Sequence, residues 1–298
     1  MAKVSVIIPS YKRAEYLKIS IESVFTQTFD DWELLIIDDN GEGTPDQLAT
    51  AKILQRFGGN PKINYIIHEK NKGGAAARNT GISAAKGDYI CFLDNDDEFY
   101  PEKLACQIEA LQNEKYRAVV CRFDSYKNNK KVRVSPVIPP MDEMLVPFAQ
   151  GKINLASGST LMIERTLLDE IGSFDEDFRR KQDVELMIRI LEKNPVKTLN
   201  EVLVRLNIED RTNIPSIENF RKFQKMFQEK FENIFSKLSA SERNGILQYD
   251  QIELAKVALW NKDPKEFLKV LAKSDLSFTQ KMDLIIDLSK KFITYFVK

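Results

Sequence analysis

Asp88–Glu98 holds five acids and no base, the densest patch of chemically useful side chains in the sequence. Carboxylates packed together repel one another unless a cation offsets them. Hard divalent ions such as Mg²⁺ and Mn²⁺ take oxygen ligands, often one or two carboxylates plus a substrate's phosphates. Asp94 and Asp96 therefore suit a metal bridging to a diphosphate. Asp97 and Glu98 are explained equally well as acids at the N-terminus of a helix starting at Pro101. Asp38 follows an apolar run and could accept a hydrogen bond from a base N–H or a ribose hydroxyl; alternatively, Asp39-Asn40-Gly41 simply turns the chain. Gly73-Gly74 opens an Ala-rich helix with Arg78 one turn in, either to let a phosphate approach the helix N-terminus or as a plain tight turn. Tyr11 could stack on a base or be a half-buried aromatic at a strand end. Asp183 begins an amphipathic segment, where it is either an N-cap or a general base.

Composition narrows the chemistry. The single histidine, His68, excludes a zinc site needing two, leaves little room for a Ser–His–Asp relay, and is assigned no role. Cys91, Cys106 and Cys121 form no CxxC, as expected of buried thiols in a reducing compartment. The 44 basic and 44 acidic residues balance, so no uniform basic surface points to nucleic acid. Neither GxGxxG nor GxxxxGK[ST] occurs. No apolar run approaches ~20 residues, and the opening MAKVSVIIPS turns polar too soon for a signal peptide. The expectation is a soluble cytoplasmic protein.

The elements that must position these residues alternate. Val4–Pro9, Leu34–Ile37, Ile63–Ile67, Tyr89–Leu93 and Tyr116–Phe123 read as strands. Arg13–Gln27, Pro45–Phe57, Ala75–Ala85 and Pro101–Asn113 read as the helices between them, which predicts βαβ crossovers and a mainly parallel sheet. Ligands of such sheets bind beyond the carboxyl ends of the strands, where Ser10, Tyr11, Arg13, Asp38, Asp39, Gly73 and Asp94–Asp97 fall. Further on, Lys127–Arg133 is a hairpin or loop, Ser135–Pro147 is irregular, and Leu155–Ile163 could be a strand. Arg165–Ile171 and Asp183–Lys193 read as helices and Val196–Leu206 as a returning strand. Beyond Pro215 only Gly245 remains among the glycines, and Ile246–Trp260, Pro264–Ala272 and Phe278–Val297 read as amphipathic helices. Phe220, Phe223, Phe227, Phe231 and Phe235 recur at helical spacing, as a core or an interface would. A boundary is expected near Thr212–Ser216.

VSVIIPSYKR, LLIIDDN, NKGGAAARNTGISAAKGDYICFLDNDDEFYPEKL, SGSTLMIERTLLDEIGSFDED and KQDVELMIRIL occur in one order. Over residues 3–211 the chain resembles the inverting nucleotide-sugar glycosyltransferases of family 2. The resemblance implies a GT-A fold, an α/β Rossmann-like domain over 1–212, with a nucleotide half at about 1–98 and an acceptor half at about 99–212. A C-terminal α-helical region, 213–298, would follow. Pro9, Ser10, Tyr11, Arg13, Asp38, Asp39, Gly73, Arg78, Asp94 and Asn95 would bind the nucleotide-sugar, with Asp38 on the base, usually uracil. Asp94-Asn95-Asp96 matches the family's DxD motif, in which Asp94 faces ribose or metal and Asp96 holds Mn²⁺ or Mg²⁺ on the diphosphate. Ser157 and Gly158 would lie on the acceptor side, and Asp183 matches the catalytic base.

The implied reaction is hexosyl transfer (EC 2.4) with inversion, from a nucleoside-diphosphate sugar to a hydroxyl on a glycan, glycolipid or glycoprotein, as in bacterial polysaccharide biosynthesis. Two positions depart from the family pattern. Gln182 stands where Glu is frequent, giving Asp183 one like-charged neighbour fewer, and Asn207 stands where a His is frequent. Arg205 or Arg211 could substitute for that His. These departures admit an inactive GT-A partner protein that stabilises another transferase. FLDND also resembles a phosphohydrolase strand, but that motif belongs early in such a chain. The region from Ser216 carries 15 basic and 11 acidic residues, against 29 and 33 before it. It could pack on the catalytic domain, form a homo-oligomer through the Phe stripe, or touch the inner face of a membrane, as suits a lipid-linked acceptor.

Overall fold

The computed structural model describes residues 3–138, 143–154, 157–208 and 214–296. The chain divides into two units: Met1–Leu145 with Asn154–Glu209, and Val146–Ile153 with Asp210–Lys298.

The first unit opens with β1 (Val4–Ser10), α1 (Ala14–Phe25), β2 (Trp32–Asp38), α2 (Pro45–Leu54), β3 (Ile63–Ile67), α3 (Gly74–Ala84) and β4 (Tyr89–Phe92). The strands are parallel, in the order β3-β2-β1-β4. Their apolar runs leave no polar face because helices cover both sides. On one side Val4, Val6, Ile8, Leu34 and Ile36 form a core with Leu17, Ile21 and Val24 of α1. On the other, α3 packs on β1 and β2. It comes close because a Cβ at Gly81 would collide with the Ile7 side chain. Ser10 lies directly beside Asp38 in the β1–β2 register, so the polar residues after these strands emerge at one edge.

The unit continues with β5 (Glu98–Phe99), α4 (Lys103–Leu111), β6 (Ala118–Lys127) and β7 (Lys130–Val134). After α5 (Leu145–Ala149) come α6 (Ser157–Thr160), β8 (Leu161–Glu164), α7 (Arg165–Ile171), α8 (Gln182–Lys193) and β9 (Val196–Asn207). The nine-stranded sheet runs β3-β2-β1-β4-β8-β6-β9-β5, with β7 on β6. β8 is antiparallel to both β4 and β6, whereas β9 is parallel to β6 and antiparallel to β5. Lys127–Arg133 is a hairpin, turned at Asn128 and Asn129 with φ 49° and 56°, the left-handed pair that suits a two-residue β-turn.

Three sequence expectations need correction. The helix expected from Pro101 starts at Lys103. Of the strand expected over 155–163, only the last part is extended; Ser157–Thr160 is helical and residues 155 and 156 lie outside the described residues. β5 was not foreseen, because two residues carry no periodicity.

The second unit contains α9 (Ile217–Phe235), α10 (Ala240–Trp260), α11 (Pro264–Lys273) and α12 (Phe278–Phe296). Ser239 and Glu242 form a capping box, which starts α10 six residues earlier than the apolar pattern indicates. Phe220, Phe227, Phe231 and Phe235 are buried, and the Phe227 and Phe231 rings meet edge to face at 4.8 Å. Val146–Ile153 packs on α10: Gln150 donates to the Glu242 carbonyl at 3.0 Å, and Gly151 lies against the Tyr249 ring. Among the described residues no helix is long and apolar enough to cross a membrane.

Candidate active site

At the carboxyl edge of β1 and β2, neighbouring residues take different tasks. Ser10 is fully buried, and among the described residues its hydroxyl has no hydrogen-bond partner. Pro9 is half-buried and Tyr11 is 48% exposed, beyond the strand end. The Asp38 carboxylate is buried and accepts from Asn40 N (3.0 Å), Asn40 Nδ2 (2.8 Å) and the Tyr65 hydroxyl (2.6 Å). A carboxylate has about four acceptor sites, so one more donor is accommodated. Burial, reinforced by the bond to Asp38, pushes the Tyr65 phenol well above its usual range.

Asp39 is committed within the protein. Oδ1 meets His68 Nδ1 (2.7 Å) and Lys72 N (2.7 Å), while Oδ2 accepts from Gly73 N (2.8 Å) and Asn71 Nδ2 (2.9 Å). It thereby fixes the loop before α3. His68, to which no role was assigned, is buried between Asp39 and the Thr80 hydroxyl, the latter 2.9 Å away. Gly73 has φ 98°, and a side chain there would run into the Arg179 guanidinium, which donates to the Lys72 carbonyl.

The loop after β4 gathers the remaining groups. Arg78 Nη2 donates to Asp94 Oδ1 at 2.6 Å and Nη1 to Gln182 Oε1 at 3.0 Å, tying α3, the β4 end and α8 together. A Cβ on Gly158 would stand 3.5 Å from Asp94 Oδ2. Ser157 belongs to α6, but its side chain lies outside what is described. Asn95 donates to the Lys12 carbonyl at 3.1 Å, and Arg13 Nη1 pairs with Asp96 Oδ2 at 3.0 Å. Lys12 and Arg13 both have left-handed backbones, φ 57° and 52°.

Asp97 and Glu98 are not helix caps. Asp97 is buried and accepts from Ser159 Oγ (2.7 Å) and Asn207 N (3.2 Å), while Glu98 pairs with Arg205. Glu102 occupies the α4 N-cap without a side-chain bond. Asn207 also donates to the Asp96 carbonyl at 2.8 Å, so it braces the acidic loop. Arg205 is held by Glu98 and Asn129, and Arg211 lies outside the described residues.

Asp183 is not an N-cap either: Lys181, at φ 50°, holds that position, and Asp183 lies in the first turn of α8. The helix is anchored by Arg189, which pairs with the buried Glu185 and donates to the carbonyls of Ile171, Gly172 and Ser173. Sequence reasoning missed this anchor, although a Glu–Arg pair at i,i+4 was visible. Nothing local marks Ser159, whereas Asn207, which stands where the family frequently has a His, takes the bracing role described above.

Among the described residues no cluster of three His, Cys, Asp or Glu side chains could hold a metal. Two carboxylates completed by a substrate's phosphates are a set that hard divalent cations accept; here Asp94 is paired with Arg78 and Asp96 with Arg13.

Residues 5–172 match the model of glycosyl transferase family 2. The chain belongs to that family. Among family 2 relatives, the Erwinia amylovora amylovoran biosynthesis glycosyltransferase AmsB is 30% identical over 191 residues, covering 62% of each chain. The Escherichia coli UDP-Glc:alpha-D-GlcNAc-diphosphoundecaprenol beta-1,3-glucosyltransferase WfgD is 31% identical over 199 residues, covering 66% of this chain and 73% of its own length. The chain spans under two thirds of AmsB and about a third, 34%, of a Rickettsia felis glycosyltransferase. S. aureus TarS 1-349 in complex with UDP-GlcNAc has the same fold, with TM-score 0.61 and 15% identity, covering 90% of this chain and 89% of that one. So does the mannosyltransferase PcManGT of Pyrobaculum calidifontis in complex with GDP-Man and Mn²⁺, with TM-score 0.59 and 18% identity, covering 99% and 81%. The GT-A architecture with C-terminal helices is thus established.

Proposed function

We propose that this family 2 protein is an inverting hexosyltransferase that uses a nucleoside-diphosphate sugar, a UDP-sugar in first place, and glycosylates a hydroxyl of a glycan or lipid-linked glycan. The observation that carries this reading is the Gln182–Arg78–Asp94 bridge, which joins the start of the Asp183 helix to the acidic loop. UDP is favoured by the donor in WfgD's name and by the UDP-GlcNAc complex of TarS. The lipid-linked acceptor is favoured by WfgD.

In this reading Asp38, with Pro9, Ser10 and Tyr11, meets the base and ribose. Asp39 acts through the loop it holds, presenting Gly73. Arg78 and Arg13 bring positive charge to the diphosphate, with Asn95 beside them. Asp94 and Asp96 would hold Mn²⁺ or Mg²⁺, whose charge offsets the departing nucleoside diphosphate. Asp183 takes the proton of the acceptor hydroxyl as that oxygen attacks the anomeric carbon, with Ser157 and Gly158 on the acceptor side. We assign the transferase domain to residues 1–212, less the Val146–Ile153 segment that packs with the helical unit, and place the protein in the cytoplasm, where a lipid-linked acceptor would draw it to the inner face of the membrane.

Asp183→Asn is the direct test. It should bind nucleotide as the wild type does while losing transfer by about 10²–10⁴-fold, the usual worth of a general base. Released nucleoside diphosphate gives the rate and calorimetry gives the binding. Full transfer by the variant would end the assignment, and donor binding without turnover by the wild type would favour an inactive partner protein.

A further inference from the structure

We propose that the β6–β7 hairpin is a docking surface for an anionic lipid bilayer. The contact stands on the charge and shape of the hairpin; its use, bringing the site to a lipid-linked acceptor, rests on the reading above.

Residues 127–133 hold Lys127, Lys130, Lys131 and Arg133 and no acid. Every residue of β7 is exposed, including Val132 at 54% and Val134 at 43%. Lysines alone keep many edge strands soluble. Here the cations interleave with β-branched side chains whose apolar surface stays in water. The pairing register sorts the charges. Ser125 pairs with Arg133 and Lys127 with Lys130, with a one-residue shift between these pairs. Ser125 and Lys127, two apart, share a face of β6. Their partners Arg133 and Lys130 share it too, because the shift absorbs the extra residue of β7. Lys127, Lys130 and Arg133 therefore line one face of the hairpin.

Lys131 serves the other face. Its Nζ meets the buried Asp124 carboxylate at 2.7 Å, and that carboxylate accepts from the Tyr100 hydroxyl at 3.0 Å. At the tip, Asn129 Oδ1 accepts from Arg205 at 2.8 Å, and the Arg205 guanidinium lies 4.1 Å over the Tyr126 ring. The hairpin is thus held at its base and at its tip. Arg205 also pairs with Glu98, at the end of the acidic loop, so the docked tip stands one side chain from that loop. An anionic bilayer matches both halves of the surface. Its phosphates meet the cations, each worth about fivefold in binding near such a surface, and its interface takes Val132 and Val134 out of water. A soluble polyanion satisfies the cations and leaves the valines wet.

Cosedimentation of the full chain with sucrose-loaded vesicles tests this, using phosphatidylcholine alone and an equal mixture of phosphatidylcholine and phosphatidylglycerol. The wild type should bind the mixed vesicles about tenfold or more tightly than the neutral ones, and should lose that advantage as added salt shortens the Debye length. Lys130→Glu with Arg133→Glu should cost about tenfold or more on mixed vesicles. Lys265→Glu with Lys273→Glu, the same change of charge at exposed lysines of α11, should stay within about threefold of the wild type. Val132→Ser with Val134→Ser should weaken binding about threefold or more with the charge unchanged. All six positions are exposed, so the variants should melt with the wild type. The proposal is overturned if the wild type binds neither vesicle, if the two charge reversals lose equally, or if the serine variant binds as the wild type does. Transfer to a water-soluble acceptor keeps the two readings apart. A wild type that transfers sugar but binds no vesicle loses the docking and keeps the transferase. One that binds mixed vesicles through the hairpin but releases no nucleoside diphosphate keeps the docking and loses the transferase.

Discussion

Asp38 and Asp39 are adjacent in sequence and both are buried, yet one keeps an acceptor site in reserve and the other is saturated. Asp39→Asn replaces a buried oxygen that accepts from the Lys72 or Gly73 backbone N–H with a donor. It should cost about 1–3 kcal/mol, as an unpaired buried donor does, visible as a lower urea midpoint. A second residue-scale prediction concerns phenols. Burial, with the bond to Asp38, raises Tyr65; burial, with Tyr126 and Asp124, raises Tyr100; burial, with Glu253 and Asp250, raises Tyr249. The fold favours their neutral forms, so their contribution to stability is present below about pH 10 and is lost as pH rises through their higher folded values. Alkaline titration at 295 nm should show them ionising late, together with unfolding, and Tyr65→Phe should shrink that late phase. Asp94, Asp96 and Arg78 were legible in the sequence because charge density and a glycine pair mark them. Ser159 and Asn207 were not, because their roles depend on partners 62 and 110 residues away.

Elements were legible where an apolar period ran long enough. β1, β2, β3 and α8 fall within two residues of expectation, and α4 starts two residues after Pro101, which looked like a first-turn residue. The shift matters for Lys103, now the first residue of α4 and fully buried. Its ammonium donates to Gln107 Oε1 at 2.6 Å and stands 4.0 Å over the Phe99 ring. Lys103→Ala should cost about 2–5 kcal/mol, through the cavity it leaves and an unpaired Gln107 oxygen. Lys103→Met keeps the stem's volume and removes a buried charge, so its melting temperature should lie closer to the wild type than that of the alanine variant. Scanning calorimetry of both variants separates packing from charge.

For the whole molecule, the change of texture near Pro215 was legible, but the capture of Val146–Ile153 by the helical unit was not, because so short a segment carries no long-range signal. A chain ending at residue 209 would strip that segment of α10. Chymotrypsin should then cut at Phe148, which is buried in the full chain, and resistance equal to the full chain's would refute the docking. The brace from Asn207 to the acidic loop has a kinetic consequence. β2 and β3 pair with the strand just before them, whereas β4 reaches back to β1, with Tyr89 opposite Val4, and β6 must wait for β9, with Ala118 opposite Val196. Distant pairings close late, and domains assemble from their N-terminal side during synthesis. A nascent chain therefore carries Asp94 and Asp96 well before it carries Asn207, whose amide braces their loop, so that loop takes its final shape only once β9 has left the ribosome.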